Sequence, residues 1–260
     1  MPMAFYDNLA VKHITGNDYL CIMTYRKLTE EQRRDLESRI LYEDNHLLIV
    51  NKAPGEIVQG DRTGDETLGE KYQAYIAARD GKPGQVFMGV PHRLDRPVSG
   101  AVMFAKTSKA LERLTAMFRE GMVHKTYWAL CGEIPPAPSG ELQNWMLRNE
   151  RLNKSFIVKD GSNKNAKLAS LRYRYIGDTD RYHLIEVELL TGRHHQIRCQ
   201  LAAIGCHIKG DLKYGAPRSN PDGGICLHSR NMRFIHPVRK TEIDITAPVP
   251  GSWKGMEPFI

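Results

Sequence analysis

The chain has 260 residues, 41% of them hydrophobic and 26% charged, which is the composition of an ordinary globular protein able to bury a core without staples. It carries 37 Lys+Arg against 30 Asp+Glu, a net charge of +7, which leans toward a polyanionic partner. No apolar run approaches the ~20 residues of a membrane span, and Met1 to Leu20 lack the basic start and apolar stretch of a secretory signal.

Residues 1–27 are poorly patterned. Thr29 followed three residues later by Gln32 predicts a capped helix to about Arg39, nearly polar all round. Ile40–Glu43 and Leu47–Val50, separated by Asp44-Asn45-His46, read as strand, turn, strand, broken by Asn51-Lys52-Ala53-Pro54-Gly55. A helix is expected over Thr67–Arg79, a short strand over Val86–Val90, a loop over Pro91–Gly100 and a buried strand over Ala101–Ala105. Thr107 or Ser108 caps a helix whose apolar positions Ala110, Leu111, Leu114, Met117 and Phe118 recur at helical spacing, and Gly121 closes it. Beyond Gly121 the chain reads mostly as strands: Tyr127–Cys131, Lys154–Val158, Leu168–Ile176 and His183–Leu190. A short helix, about His195–Ile204, ends at Gly205, and Met232–Ile235 with Glu242–Ile245 reads as a closing hairpin. Strands dominate without regular βαβ alternation, so the expected class is α+β, a mixed and largely antiparallel sheet with flanking helices. The expected division is an extension over 1–39, a main domain over 40–250 and a tail over 251–260.

The charge is uneven. Residues 1–40 hold six basic and six acidic residues, whereas 181–240 hold ten basic, four acidic and six of the ten histidines. That places the basic patch in one quarter of the chain.

Two stretches carry chemistry. In Pro91-His92-Arg93-Leu94-Asp95-Arg96-Pro97-Val98-Ser99-Gly100 a carboxylate lies between two arginines, a setting that favours its charged form. It suits a nucleophile or base, and equally an Arg–Asp ion pair in a turn. In Leu190-Thr191-Gly192-Arg193-His194-His195-Gln196-Ile197-Arg198 the spacing predicts His194 and Arg198 on one helical face, suited to phosphate or a carboxylate. His195 and Cys199, with Cys206 or His207, would be the zinc alternative, but no fourth ligand falls at regular spacing. The five cysteines, Cys21, Cys131, Cys199, Cys206 and Cys226, form no C-x-x-C pair, which favours free thiols and a cytoplasmic setting. No G-x-x-x-x-G-K-[ST] or G-x-G-x-x-G motif is present, so no cofactor is expected.

Taken together, His92-Arg93-Leu94-Asp95 with Ser99-Gly100, and Thr191-Gly192-Arg193 with His195-Gln196-Ile197-Arg198, resemble the pseudouridine synthases of the large bacterial ribosomal- and transfer-RNA family. Asn51-Lys52 with Gly55, Lys125-Thr126-Tyr127, Gly210-Asp211 with Tyr214-Gly215, and Leu227-His228 fall around them in the family's order, over about residues 40–246. The resemblance implies a cofactor-free and metal-free isomerase that acts on structured transfer or large-subunit ribosomal RNA, as a cytoplasmic monomer away from membranes. Asp95 then matches the catalytic aspartate, Arg198 the arginine that pairs with it, and Tyr127 the tyrosine that stacks on the flipped base. Leu227 matches an apolar residue packed against that base, and Arg93 the residue that fills the gap left by the flipped nucleotide. His92, Arg193, His195 and Gln196 are expected to bind substrate. Two features depart from relatives: Ala53-Pro54 stands where proline often follows lysine directly, and residues 1–39 are too short for the extra N-terminal RNA-binding domain many of them carry. From another class, an RNA-binding or RNA-folding module without essential catalysis is the alternative. A metal-dependent nuclease using Asp95 and the histidines is a third.

Overall fold

Three helices begin where a threonine can cap them. Thr29 and Gln32 exchange reciprocal bonds ahead of α1 (Glu30–Ser38), Thr67 and Glu70 do the same ahead of α2 (Leu68–Asp80), and the Thr107 hydroxyl accepts from the Ala110 N–H at the start of α3 (Ser108–Arg119). These are local signals, each worth about 1 kcal/mol, and they fall where the sequence predicts them. The computed structural model describes residues 25–61, 63–82 and 84–260. The first 24 residues, with Cys21, the stretch Met1 to Leu20 and most of the expected N-terminal extension, lie outside them.

Among the described residues ten strands form one sheet: β1 (Ile40–Glu43), β2 (Leu47–Lys52), β3 (Ser99–Ala105), β4 (His124–Cys131), β5 (Ser139–Asn149), β6 (Lys154–Val158), β7 (Lys167–Asp178), β8 (His183–Leu189), β9 (Leu227–Ile235) and β10 (Glu242–Thr246). Their order is β1-β2-β3-β9-β4-β8-β7-β5-β6, with β10 paired to β9. Among these described strands only β3 and β9 run parallel, over Ser99↔His228 and Gly100↔Ser229. The class is therefore α+β with a mixed, mostly antiparallel sheet, as expected.

Near β2 and β3 both faces of the sheet are covered. Leu48, Val50, Val102 and Phe104 enter one core with α2, while Leu47, Ile49, Met103 and Ala105 enter another with Leu114 and Met117 of α3. That is the period-2 alternation of strands buried on two sides. Trp253 and Met256 of the C-terminal segment are buried with Trp128, Leu130 and Leu184.

One strand expectation needs correction, and one strand was not expected. Val86–Val90 is not a strand: only Gly89 bridges, to Ala105. The Gln73 side chain already satisfies the Val86 carbonyl, and Pro91 has no N–H with which to continue a ladder. Conversely β5 went unseen, although it pairs with both β6 and β7.

The short parallel contact joins the two halves of the sheet, and it depends on a glycine. Gly100 has φ +112°, and a Cβ there would collide with the Ser229 backbone. The loop before β3, the start of β9 and the middle of β4 meet at this junction.

Candidate active site

The loop that carries Asp95 is held from beneath. Lys52, at the end of β2, is 1% exposed and donates to the carbonyls of Ala53, Arg96 and Val98 at 2.9, 3.0 and 2.6 Å. Burial pushes its pKa down to about 7, although three carbonyls are the set that the three donors of an ammonium fill. The Gly55 N–H donates to the Arg96 carbonyl and the Ile225 N–H to that of Pro97, so the loop is fixed from several sides.

The cation facing Asp95 comes from far along the chain. Arg198, on α4 (Gln196–Ala203), places Nη1 3.0 Å from Asp95 Oδ2. Its side chain is 5% exposed and that of Asp95 is 30% exposed. Arg198 is held by Asp211, which accepts from Nε at 2.6 Å and from Nη2 at 2.8 Å and is 1% exposed. Its guanidinium also sits 5.2 Å from the centroid of the Tyr214 ring, at the end of a 3₁₀ turn (Leu212–Tyr214). A buried arginine between two carboxylates is stiff and points one way.

The arginines flanking Asp95 in sequence do not pair with it. Arg93 donates to Gln59, and Arg96 pairs with Asp61 and Asp65. Side chains one or two residues apart in an irregular loop diverge, and the long-range pair supplies the charge instead. His194 and Arg198 do not share a helical face either. The helix starts only at Gln196, and His194 lies before it, bonded through Nδ1 to the Ser155 hydroxyl at 2.9 Å.

The other expected residues are placed as follows. Tyr127 on β4 and Leu227 at the start of β9 are buried and line the cleft with Asp95. Burial pushes the Tyr127 phenol up to about 12, so it remains protonated at neutral pH. His92 is half-buried: its Nε2 accepts from the Met103 N–H at 2.9 Å and its ring stacks on Phe118, so it ties the loop to β3. Burial pushes its pKa down to about 3, which keeps that acceptor bare. Gln196 is also turned inward. Its Oε1 accepts from Thr191 Oγ1 and the Arg193 N–H while its Nε2 donates to the Ser170 carbonyl, and together these shape the Thr191–Arg193 turn. Arg193 is exposed at the rim, with Nε donating to the Leu168 carbonyl. His195 is buried beside Asp95, its Nε2 3.5 Å from Oδ2. Asp211, Tyr214 and Lys52 fell in stretches that carry the resemblance, but nothing in one sequence ties them to Asp95.

The cleft has a volume of about 830 Å³, and its lining includes six Lys or Arg side chains against the carboxylates of Asp95 and Glu188. It is large enough for an everted nucleoside and carries the sign that attracts phosphates. Among the described residues no three His, Cys, Asp or Glu side chains converge as a metal site.

Residues 46–203 match the family model described as RNA pseudouridylate synthase. The chain belongs to that family. The synthase is 34% identical over 221 residues to ribosomal large subunit pseudouridine synthase C of Vibrio cholerae, covering 83% of this chain and 67% of that one. It is 31% identical over 228 residues to ribosomal large subunit pseudouridine synthase D of Zymomonas mobilis, covering 84% and 71%. The solved structure of human RNA pseudouridylate synthase domain containing 4 shares the fold, with TM-score 0.70 at 22% identity over 85% of this chain and 92% of that one. The resemblance read from the motifs is borne out, and the protein is an isomerase that converts uridine to pseudouridine in RNA. Among the described residues no helix is long and apolar enough to cross a membrane.

Proposed function

We propose that Asp95 is the catalytic carboxylate of this synthase and that its substrate is a uridine in structured RNA, large-subunit ribosomal RNA in the first instance. The observation that carries the reading is the contact between the part-exposed Asp95 carboxylate, at a basic cleft, and the buried Arg198 guanidinium at 3.0 Å. The ribosomal choice is supported by the names of the relatives more than 30% identical to this chain.

The reaction breaks the N1–C1′ bond of uridine, joins C5 to C1′, releases the C5 proton and returns a proton to N1. The composition of the RNA is unchanged, so no redox partner or donated group is required. A target inside a stem or stacked loop must be flipped out, at a cost of a few kcal/mol. In this reading Tyr127 stacks on the everted base, Leu227 packs its apolar edge and Arg93 enters the vacated space, offsetting that cost. Asp95 attacks the flipped nucleotide and holds one fragment while the uracil turns. Arg198 aims the carboxylate, and His92 and Gln196 shape the two loops that face each other. Arg193 holds phosphate at the rim. The buried thiols of Cys131, Cys199, Cys206 and Cys226 suit a reducing cytoplasm.

The test is to map pseudouridines chemically in ribosomal and transfer RNA from wild-type and deletion cells, and to restore the missing site with purified enzyme on RNA tritiated at uridine C5. Loss and restoration of a site in large-subunit ribosomal RNA is expected. Loss confined to transfer RNA would overturn the choice of substrate and leave the chemistry standing.

A further inference from the structure

His195 lies beside the carboxylate, and no step above uses it. Its backbone is left-handed, φ 53° and ψ 26°, a conformation that costs a non-glycine residue energy and persists where the surroundings enforce it. It stands at the N-cap position, just before α4, yet its side chain makes no capping bond. Its ring is instead clamped on three sides: Nδ1 lies 3.0 Å from the Tyr214 hydroxyl, Nε2 lies 3.5 Å from Asp95 Oδ2, and the His194 ring stacks on it at 3.8 Å. Arg198 and His195 thus approach the same carboxylate oxygen. Among the described residues, every hydrogen bond or ion pair made by the Asp95 side chain falls on Oδ2, which leaves Oδ1 unengaged.

We propose that His195 is a positioning residue for Asp95, a neutral imidazole that carries its proton on Nε2 and directs it at Oδ2, with the Tyr214 hydroxyl fixing that tautomer. The proposal rests on the reading of Asp95 as the catalytic carboxylate. Proton accounting supports it. The Tyr214 oxygen accepts from the Ser155 N–H at 2.8 Å and has one proton to give, either to the Ser155 carbonyl at 3.2 Å or to His195 Nδ1 at 3.0 Å. A proton on Nδ1 would leave Nε2 facing the carboxylate with a lone pair, two acceptors opposed in a buried site. Donation from Tyr214 to Nδ1 removes that conflict, and the Ser155 carbonyl keeps the Cys199 thiol as a donor at 3.4 Å.

A doubly protonated ring is disfavoured from every side. Burial, Arg198 on α4, His194 in the same turn, Lys213 in the 3₁₀ turn and Arg148 on β5 push the His195 pKa down to about 2, while the Asp95 carboxylate lies 3.5 Å from Nε2. The 3.5 Å separation is long for a hydrogen bond and is expected to shorten when RNA closes over the cleft. The two donors then fix Oδ2 and present Oδ1 to the nucleotide.

The test combines spectroscopy with kinetics. Nitrogen-15 NMR of the wild-type protein is expected to show His195 protonated on Nε2 and not titrating between pH 5 and 8. In Tyr214→Phe the tautomer is expected to become mixed, a change that a merely structural role for Tyr214 would not produce. His195→Asn tolerates the left-handed backbone but does not reach Oδ2. It is expected to lower kcat roughly 10- to 100-fold with KM nearly unchanged. His195→Gln, which returns an N–H at longer reach, is expected to recover part of the loss. A wild-type proton on Nδ1, titration near pH 6.5, or kcat within about twofold of wild type in His195→Asn overturns the proposal. Asp95→Asn run beside these separates the two readings. If it is inactive while His195→Asn is unimpaired, only this proposal fails. If Asp95→Asn is active, the reading beneath it fails.

Discussion

Replacing Asp211 with leucine removes both acceptors that hold Arg198 and leaves a guanidinium that is 5% exposed facing only the part-exposed Asp95. Stripping one partner from a buried ion pair costs about 3–5 kcal/mol, because the remaining charge is desolvated without compensation. For a chain of this size that corresponds to a fall in Tm of about 5–9 °C. The double variant Asp211→Leu/Arg198→Met replaces the pair with apolar groups and is expected to regain most of the loss, since no orphaned charge is left. Calorimetry on wild type, both single variants and the double gives the cycle. Tritium release from C5-labelled RNA, measured in parallel, is expected to be low in all three variants, because each loses either Arg198, which aims Asp95, or the carboxylate that holds Arg198 in place. A melting temperature unchanged in Asp211→Leu, or a double variant less stable than that single variant, would refute the claim that Asp211 is what makes Arg198 tolerable in the interior.

Acid should destabilise the protein through His228. Its ring is fully buried, donating from Nε2 to the Ala247 carbonyl and accepting from the Ser99 hydroxyl at Nδ1, and burial pushes its pKa down to about 4. Below about pH 6.5 the unfolded chain gains a proton that the folded chain refuses, so stability falls as pH drops from 6.5 toward 4. The loss reaches about 2 kcal/mol by pH 5. Denaturant titrations at pH 7 and pH 5 should show this difference in wild type and a smaller one in His228→Gln; equal differences in the two proteins would contradict it. At the rim, Arg193→Ala should weaken RNA binding and reduce the slope of log K against log salt by about 0.7–0.9. A slope that does not change would remove Arg193 from the phosphate contacts.

Local signals in the sequence survived folding well. The threonine caps, the amphipathic α3 and the Ile40–Val50 hairpin depend on neighbours a few residues apart, so their pattern is written in short windows. β5 was invisible for the opposite reason. Glu141, Gln143, Asn144, Arg148 and Asn149 dilute its apolar positions, and its place is set by pairing with β7, from Ser139↔Arg174 to Met146↔Lys167, and with β6 across a turn. The site divides in the same way. Asp95 and Arg198 were legible through motifs, and the fold brings them together across 103 positions. The Arg93-Leu94-Asp95-Arg96 neighbourhood misled, because adjacency along an irregular backbone does not give adjacency in space. The holders of the site, namely Asp211 and Tyr214 on Arg198 and Lys52 beneath the loop, act through long-range contacts that composition and spacing do not encode.

The account is tested most directly by Asp95→Asn, which keeps the size of the side chain and removes its charge and nucleophilicity. Tritium release from C5-labelled RNA should vanish in this variant while RNA binding, measured by filter retention at matched salt, stays within a few-fold of wild type. Release at an undiminished rate would contradict the assignment of Asp95 as the group that attacks the nucleotide.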